Sequence, residues 1–239
     1  MAFVTLIVII ITSTVQSIFG TGVLLFGTPL LLLLGYNFQD ALIILLPTSI
    51  LISFFQVINN INKIDYKFYK KLFIITVPLI CLFLFLTNIN PFNINLFVGL
   101  LLVIISLKGK IESIQSFIKY LIKFEPLYLM ITGIIHGITN LGGALLSAIV
   151  FSKNLSKGSK RTTIAVSYLT FAFFQILTII LTFNNNDVFN KLNLIYWISG
   201  VSIFLFVEKY LYFRIDEKKY IIYSNVFLFT IGIVLILTS

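Results

Sequence analysis

The same short pattern occurs twice in the chain, about 120 residues apart. The first copy reads Gln16-Ser17-Ile18-Phe19-Gly20-Thr21-Gly22-Val23. The second copy reads His136-Gly137-Ile138-Thr139-Asn140-Leu141-Gly142-Gly143. Each copy places glycines between two short apolar stretches, and glycine permits both positive φ and close backbone approach. We therefore expect two glycine-rich helical hairpins, one in each half of the chain.

A second duplication follows the hairpins. Phe54-Phe55-Gln56 and Phe173-Phe174-Gln175 both lie in the first long apolar segment after a hairpin, and three such segments follow each hairpin. Because three crossings are odd in number, the second copy enters the membrane from the opposite side, as in the inverted-topology repeats of secondary transporters. This predicts a first repeat at residues 1–107, a cytoplasmic interfacial linker at 108–126 and a second repeat at 127–239.

The composition places both repeats in a lipid bilayer. Of 239 residues, 59% are hydrophobic and only 10% are charged, whereas a soluble domain has about 25% charged residues. We expect an all-α polytopic membrane protein. A twelve-residue helix reaches about 18 Å, short of the roughly 30 Å of hydrocarbon, so the hairpins at residues 3–34 and 127–151 either re-enter or cross twice. The segments expected to cross fully are 41–58, 72–86, 93–107, 162–183, 192–207 and 221–237.

Basic residues predict the orientation. All of the seventeen Lys and Arg residues except Lys191 lie in four loops, at 63–71, 108–123, 153–161 and 209–219. Short loops rich in Lys and Arg stay in the cytoplasm, so both termini are expected outside. The basic residues are not gathered into one arm with interleaved aromatics, which argues against a nucleic-acid partner.

Anion binding is the function that the hairpins favour. Helix N-termini present unpaired N–H groups, and in inverted repeats the substrate site lies near the midplane, where we expect the two hairpin tips to meet. Polar side chains at membrane depth are costly unless they face a cavity or pair internally. The candidate substrate-binding residues are Gln16, Ser17, Gly20, Thr21, Gly22, Gln56, His136, Thr139, Asn140, Gly142, Gly143 and Gln175. His136 either carries a proton or positive charge for an anion or is a neutral hydrogen-bonded residue, and the glycines could instead serve helix packing.

Other chemistry is disfavoured. One Cys and one His exclude a disulfide framework and a zinc or haem site with several such ligands, and no GxxxxGK[ST] loop is present. No Asp or Glu lies within a predicted crossing, and we find no nucleophile and base pair. The sequence predicts no catalytic residue, metal site or cofactor.

The chain resembles the TauE/SafE sulfite exporter family over nearly all of its length. The resemblance lies in residues 16–30, in residues 133–143 and in Lys160-Arg161-Thr162-Thr163. Thr21, Val23 and Ala144 interrupt the longer glycine run of the family, which indicates a narrower pocket or another ligand. The resemblance implies transport of a small sulfur-containing anion, such as sulfite or an organosulfonate, across the bacterial cytoplasmic membrane, commonly in the export direction. An anion channel and a non-transporting scaffold or immunity protein remain alternatives, and the oligomeric state is open.

Overall fold

The structure is a computed structural model that describes residues 1–19, 21–58, 60–89, 93–107, 111–182, 190–210 and 217–238. Within these ranges the chain forms eleven α-helices, a 3₁₀ turn at Ile61–Lys63 and no strand. The first half contains α1 (Ala2–Phe19), α2 (Val23–Leu33), α3 (Phe38–Ile58), α4 (Tyr66–Ile89) and α5 (Ile94–Leu107). The remainder contains α6 (Glu112–Lys123), α7 (Glu125–Thr139), α8 (Gly143–Ser152), α9 (Lys157–Thr182), α10 (Lys191–Tyr210) and α11 (Glu217–Leu237).

Four helices in the described ranges, α3, α4, α9 and α10, are long and apolar enough to cross a membrane. A fifth crossing is counted if α5 and α6 form one bent span. The predicted all-helical membrane protein is therefore confirmed, and four of the six predicted full crossings meet both criteria.

The two predicted hairpins are α1 with α2 and α7 with α8. The returning arms are short, 11 residues in α2 and 10 in α8, which corresponds to about 15 to 17 Å. The turn of the second hairpin depends on Asn140, which has φ 62 and donates its N–H to the carbonyl O of His136 at 2.8 Å. Asparagine tolerates this left-handed conformation better than most residues.

Gly22 and Gly142 serve close approach rather than a positive φ. Gly22 has φ −176 and Gly142 has φ −58. A Cβ on Gly22 would lie 2.5 Å from the backbone N of Gln16, and one on Gly142 would lie 2.5 Å from the Cβ of His136. Any side chain at either position would force the arms of its hairpin apart.

Helices α3 and α9 form the centre of the molecule. They pack against each other, and a larger share of each is buried than of α4 and α10. The other main contacts place α4 against α7 and α9, α10 against α1 and α3, and α5 against α11. Each hairpin is thus held against the central pair by a long neighbouring helix.

Small residues allow several of these helices to touch through their backbones. Gly133 and Gly137 lie one turn apart on α7, and a Cβ on either would be 2.8 Å from a carbonyl O of α4, that of Thr76 or Ile80. Gly99 of α5 and Gly232 of α11 face each other, and a Cβ on either would lie 2.9 Å from the other's carbonyl O. Such contacts are the usual means of close helix association in lipid.

Helix α6 occupies the segment expected to be the linker. It packs against α7, and Ile118, Leu121 and Ile122 contact the hydrophobic core. The opposite side exposes the polar residues Glu112, Gln115, Lys119 and Lys123, together with the aromatic rings of Phe117 and Tyr120. The helix is therefore amphipathic, as an interfacial segment requires.

We predict that Gly137→Ala destabilises the protein, because the new methyl would overlap the Ile80 carbonyl O and the Phe83 Cβ. Overpacking of this kind costs about 1 to 3 kcal/mol. The matched control is Gly158→Ala, where the Cβ would meet only the flexible Lys63 side chain at 3.3 Å. Thermal unfolding in detergent measures both, and equal unfolding temperatures would contradict the prediction.

Candidate functional site

Eight of the twelve residues singled out from the sequence lie in two clusters, one at each hairpin, and Ser53 and Tyr168 complete these clusters. The first cluster consists of Gln16, Gly22, Ser53 and Gln56. The second cluster consists of His136, Asn140, Gly142, Gly143, Tyr168 and Gln175. All of the Gln, Asn and His side chains in them are nearly or fully buried.

In the first cluster, Gln16 closes its own hairpin. Its Oε1 accepts the backbone N–H of Val23 at 2.9 Å, and its Nε2 donates to Ser53 Oγ at 3.4 Å. Gln56 of α3 donates from Nε2 to the carbonyl O of Gln16 at 3.2 Å, and its Oε1 has no hydrogen-bond partner among the described residues. Gln16 therefore links α1, α2 and α3.

In the second cluster, His136 occupies the place that Gln16 has in the first. Its Nε2 lies 3.2 Å from Gln175 Oε1 on α9, while His136 Nδ1 and Gln175 Nε2 have no hydrogen-bond partner in the described part of the chain. The ring stands against Phe171, with centroids 4.9 Å apart, and perpendicular to the ring of Tyr168. The pair is enclosed by aromatic side chains and remains incompletely hydrogen-bonded.

Asn140 connects the turn of the second hairpin to the first. Its Nδ2 donates to Thr28 Oγ1 of α2 at 2.8 Å, and its Oδ1 has no partner within the described ranges. Beside it, Thr139 Oγ1 donates to the carbonyl O of Ile135 and accepts the N–H of Leu141. Thr139 thus stabilises the turn through local bonds.

Ser17 makes a contact of its own outside the two clusters. Ser17 Oγ donates to the carbonyl O of Phe204 on α10 at 3.3 Å, so Ser17 joins α1 to α10. Thr21 is buried. Gly20 lies outside the residues that the structure describes.

Tyr168 was missed by the sequence analysis. It is fully buried, and its hydroxyl occupies the space beside Gly143 that a Cβ would need. A tyrosine in the middle of a long apolar segment was the available signal, because such rings usually lie near the ends of spans. Position 143 requires glycine because this hydroxyl reaches the start of α8.

The two hairpins contact α9 at positions far apart along its length, which argues against the expected meeting of their tips. Ser17 contacts α9 at Arg161, whereas His136 contacts it at Gln175. These positions are fourteen residues apart, or about 21 Å along a helix. Asn140 accordingly contacts Thr28, within α2, rather than the first turn. The hairpins lie side by side with their turns offset.

Arg161 joins three helices near the start of α9. Its Nη1 donates to Glu208 Oε1 of α10 at 3.0 Å, and its Nη2 donates to the carbonyl O of Ser17 on α1 at 2.8 Å. The guanidinium has a fixed fork of donors, which suits such simultaneous contacts. Arg161 thereby fixes the end of α1 relative to α9 and α10.

A second ionic cluster lies at the start of α7. Glu125 accepts from Lys71 at 2.8 Å and from Lys153 at 2.7 Å, and the Lys153 ammonium lies 4.5 Å from the centre of the Phe68 ring. Partial burial raises the pKa of Glu125, but the hydrogen bonds and charges of Lys153 and Lys71 together bring its pKa below the ordinary value. The carboxylate therefore ties both ends of the second hairpin to α4.

The comparison with protein families agrees with this architecture. The family described as sulfite exporter TauE/SafE matches residues 5–235 of the 239 in the chain. The chain belongs to the TauE/SafE family. Its members are transporters, so this TauE/SafE protein is a multi-pass membrane protein that acts on a small-molecule substrate. No curated protein and no solved structure matches it significantly.

We predict that Arg161→Ala destabilises this TauE/SafE protein. The change removes two charge-assisted hydrogen bonds and leaves Glu208 without its ion pair, a loss of about 1 to 3 kcal/mol. The control is Lys160→Ala, because the Lys160 ammonium makes an exposed contact with the Phe151 carbonyl O. Thermal unfolding in detergent would show a clear decrease for Arg161→Ala only, and identical curves for both variants would disprove the prediction.

Proposed function

We propose that the chain is a secondary transporter that moves a small anion, sulfite or an organosulfonate, across the bacterial cytoplasmic membrane in the export direction. Family membership supports the transport class. The observation that carries the binding of a polar substrate is a group of buried amide and imidazole atoms at the second hairpin, for which the described residues supply no hydrogen-bond partner: His136 Nδ1, Asn140 Oδ1 and Gln175 Nε2. Such atoms are costly inside a membrane and require a ligand or water to complete their hydrogen bonds.

The inverted repeat is part of this proposal. When the two halves are exchanged, the contacts of α3 with α9 and of α5 with α11 map onto themselves. The contact of α4 with α7 maps onto that of α10 with α1, and the contact of α4 with α9 maps onto that of α10 with α3. This exchange symmetry supports repeats at residues 1–107 and 127–239 with a linker at 108–126.

Side-chain contacts support the same duplication. Gln56 bonds to Gln16 in the first half as Gln175 bonds to His136 in the second. A Cβ on Gly22 would lie 2.6 Å from the carbonyl O of Thr12, and the corresponding distance from Gly142 to Thr132 is 2.7 Å. The residues of each pair are 119 or 120 positions apart.

Both termini lie outside in the proposed orientation. Lys71 and Lys153 share Glu125, so the basic loops 63–71 and 153–161 lie on one side of the molecule. Arg161 pairs with Glu208, which brings the end of α10, with Lys209, to the same side. Grouping of basic loops on one side is the pattern of a cytoplasmic face.

Transport proceeds by alternating access in this proposal. One repeat rocks against the other and exposes the substrate to each side in turn. The buried amide, imidazole and hydroxyl groups hold an anion by hydrogen bonds. The driving force is a gradient of the substrate or of an ion.

The first test is transport by purified protein in liposomes. We expect saturable uptake of labelled sulfite, competition by sulfite analogues such as taurine and thiosulfate, and counterflow from preloaded vesicles. Protein-free liposomes are the control. Flux that does not saturate and shows no counterflow would indicate a channel instead. No flux of any of these anions through folded protein would argue for a scaffold.

The second test is the orientation. In a Cys81→Ser background, Lys191→Cys should react with a membrane-impermeant maleimide in intact cells. Asn62→Cys, in the exposed 3₁₀ turn, should react only after the cells are permeabilised. Labelling of both from the same side would overturn the proposed topology.

A further inference from the structure

The two hairpins are duplicates in sequence, but a different side-chain group lies at the start of the returning helix in each. In the first, Gln16 Oε1 accepts the N–H of Val23, the first residue of α2. A carbonyl oxygen thus takes the place at the helix N-terminus that an anion's oxygen would occupy. The first hairpin is capped by its own side chain.

His136 provides no such cap in the second hairpin. It stands beside Gly142 as Gln16 stands beside Gly22, since a Cβ on either glycine would lie within about 3 Å of the partner's Cα, at 2.9 Å for Gln16 and 3.1 Å for His136. Its ring nevertheless bonds to Gln175 through Nε2. The group at the start of α8 is the hydroxyl of Tyr168, which comes from another helix and lies against Gly143.

The unpartnered atoms are also distributed unequally. Among the described residues, the first cluster has one, Gln56 Oε1, which is an acceptor and repels an anion. The second cluster also has one acceptor, Asn140 Oδ1, but in addition it has His136 Nδ1 and Gln175 Nε2, which can supply an N–H, and all three side chains are at most 1% exposed. If His136 donates to Gln175, the Gln175 N–H groups remain; if the amide is reversed, His136 Nδ1 carries the remaining proton. The pair therefore leaves a buried N–H donor in either arrangement.

We infer that the transported anion binds at the second hairpin only, at the start of α8, where it is held by the His136–Gln175 pair and the Tyr168 hydroxyl. The first hairpin is the structural counterpart, and Gln16 and Gln56 hold it closed. This inference rests on the proposed function and assigns the site of that function to one half of the duplicated scaffold. The ligand is a small oxyanion, because the groups that meet there are an N–H donor and a hydroxyl at the start of a helix, where the N–H groups of Ala144 and Leu145 already donate to the carbonyl O atoms of Leu141 and Gly142.

The test uses the duplication as its own control. Gln175→Leu and Gln56→Leu are equivalent changes in the two halves, and Tyr168→Phe removes one hydroxyl while it keeps the packing of the ring. For each purified protein, the sulfite concentration that gives half-maximal thermal stabilisation is measured in detergent. The unfolding temperature without sulfite is recorded in the same experiment.

We expect Gln175→Leu to raise the half-maximal sulfite concentration at least tenfold and Tyr168→Phe to raise it severalfold. Gln56→Leu should lower the unfolding temperature without sulfite and change the half-maximal concentration less than twofold. Equal weakening by Gln56→Leu and Gln175→Leu, or unchanged binding in Tyr168→Phe, would overturn the assignment to the second hairpin. If wild-type protein shows neither sulfite stabilisation nor flux, the proposed function fails and the site fails with it.

Discussion

The structure depends on a single constraint, that polar groups inside a membrane must find their hydrogen-bond partners within the protein. Most buried hydroxyls meet it in the simplest way, by donating to a carbonyl one turn earlier in the same helix. Thr12, Thr132 and Ser167 all do so, with donor–acceptor distances of 2.8 Å. The hydroxyl hydrogens of these residues are already used within their own helices. The amides and the imidazole at the hairpins differ from these hydroxyls, because the described residues of the protein satisfy only part of their hydrogen bonds.

The duplicated sequence motif predicted the hairpins and the pairing of each glutamine with its hairpin, because a repeat of fixed spacing carries the same local contacts into both halves. The role of the hairpin glycines was predicted only in part. Gly22 and Gly142 are required by close approach, and the positive φ belongs to Asn140. Composition and periodicity show where a chain reverses but not which residue of the turn adopts the unusual backbone angle.

Contacts between distant parts of the chain could not be predicted. Arg161 reads as one more basic residue in a cytoplasmic loop, and only the fold brings Glu208 and the Ser17 carbonyl to its guanidinium. The offset of the two turns could not be predicted either, because it depends on where each hairpin lies along α9. Neither feature can be inferred from the hydropathy pattern or from the spacing of the motifs, because both depend on the relative positions of helices that are remote in sequence.

The meeting of Gly99 and Gly232 has a mechanical consequence. Two helices normally lock their crossing angle by fitting rows of side chains into the grooves of the partner. At this point α5 and α11 touch through backbone atoms, and each glycine lies against the other's carbonyl. Side chains also close over the contact, since a Cβ on Gly99 would lie 2.8 Å from Ile236 Cγ1 and one on Gly232 would lie 3.0 Å from Val103 Cγ2. The crossing of α5 and α11 is therefore fixed by both backbone and side chains, and it sets the separation of the two halves of the chain at this point.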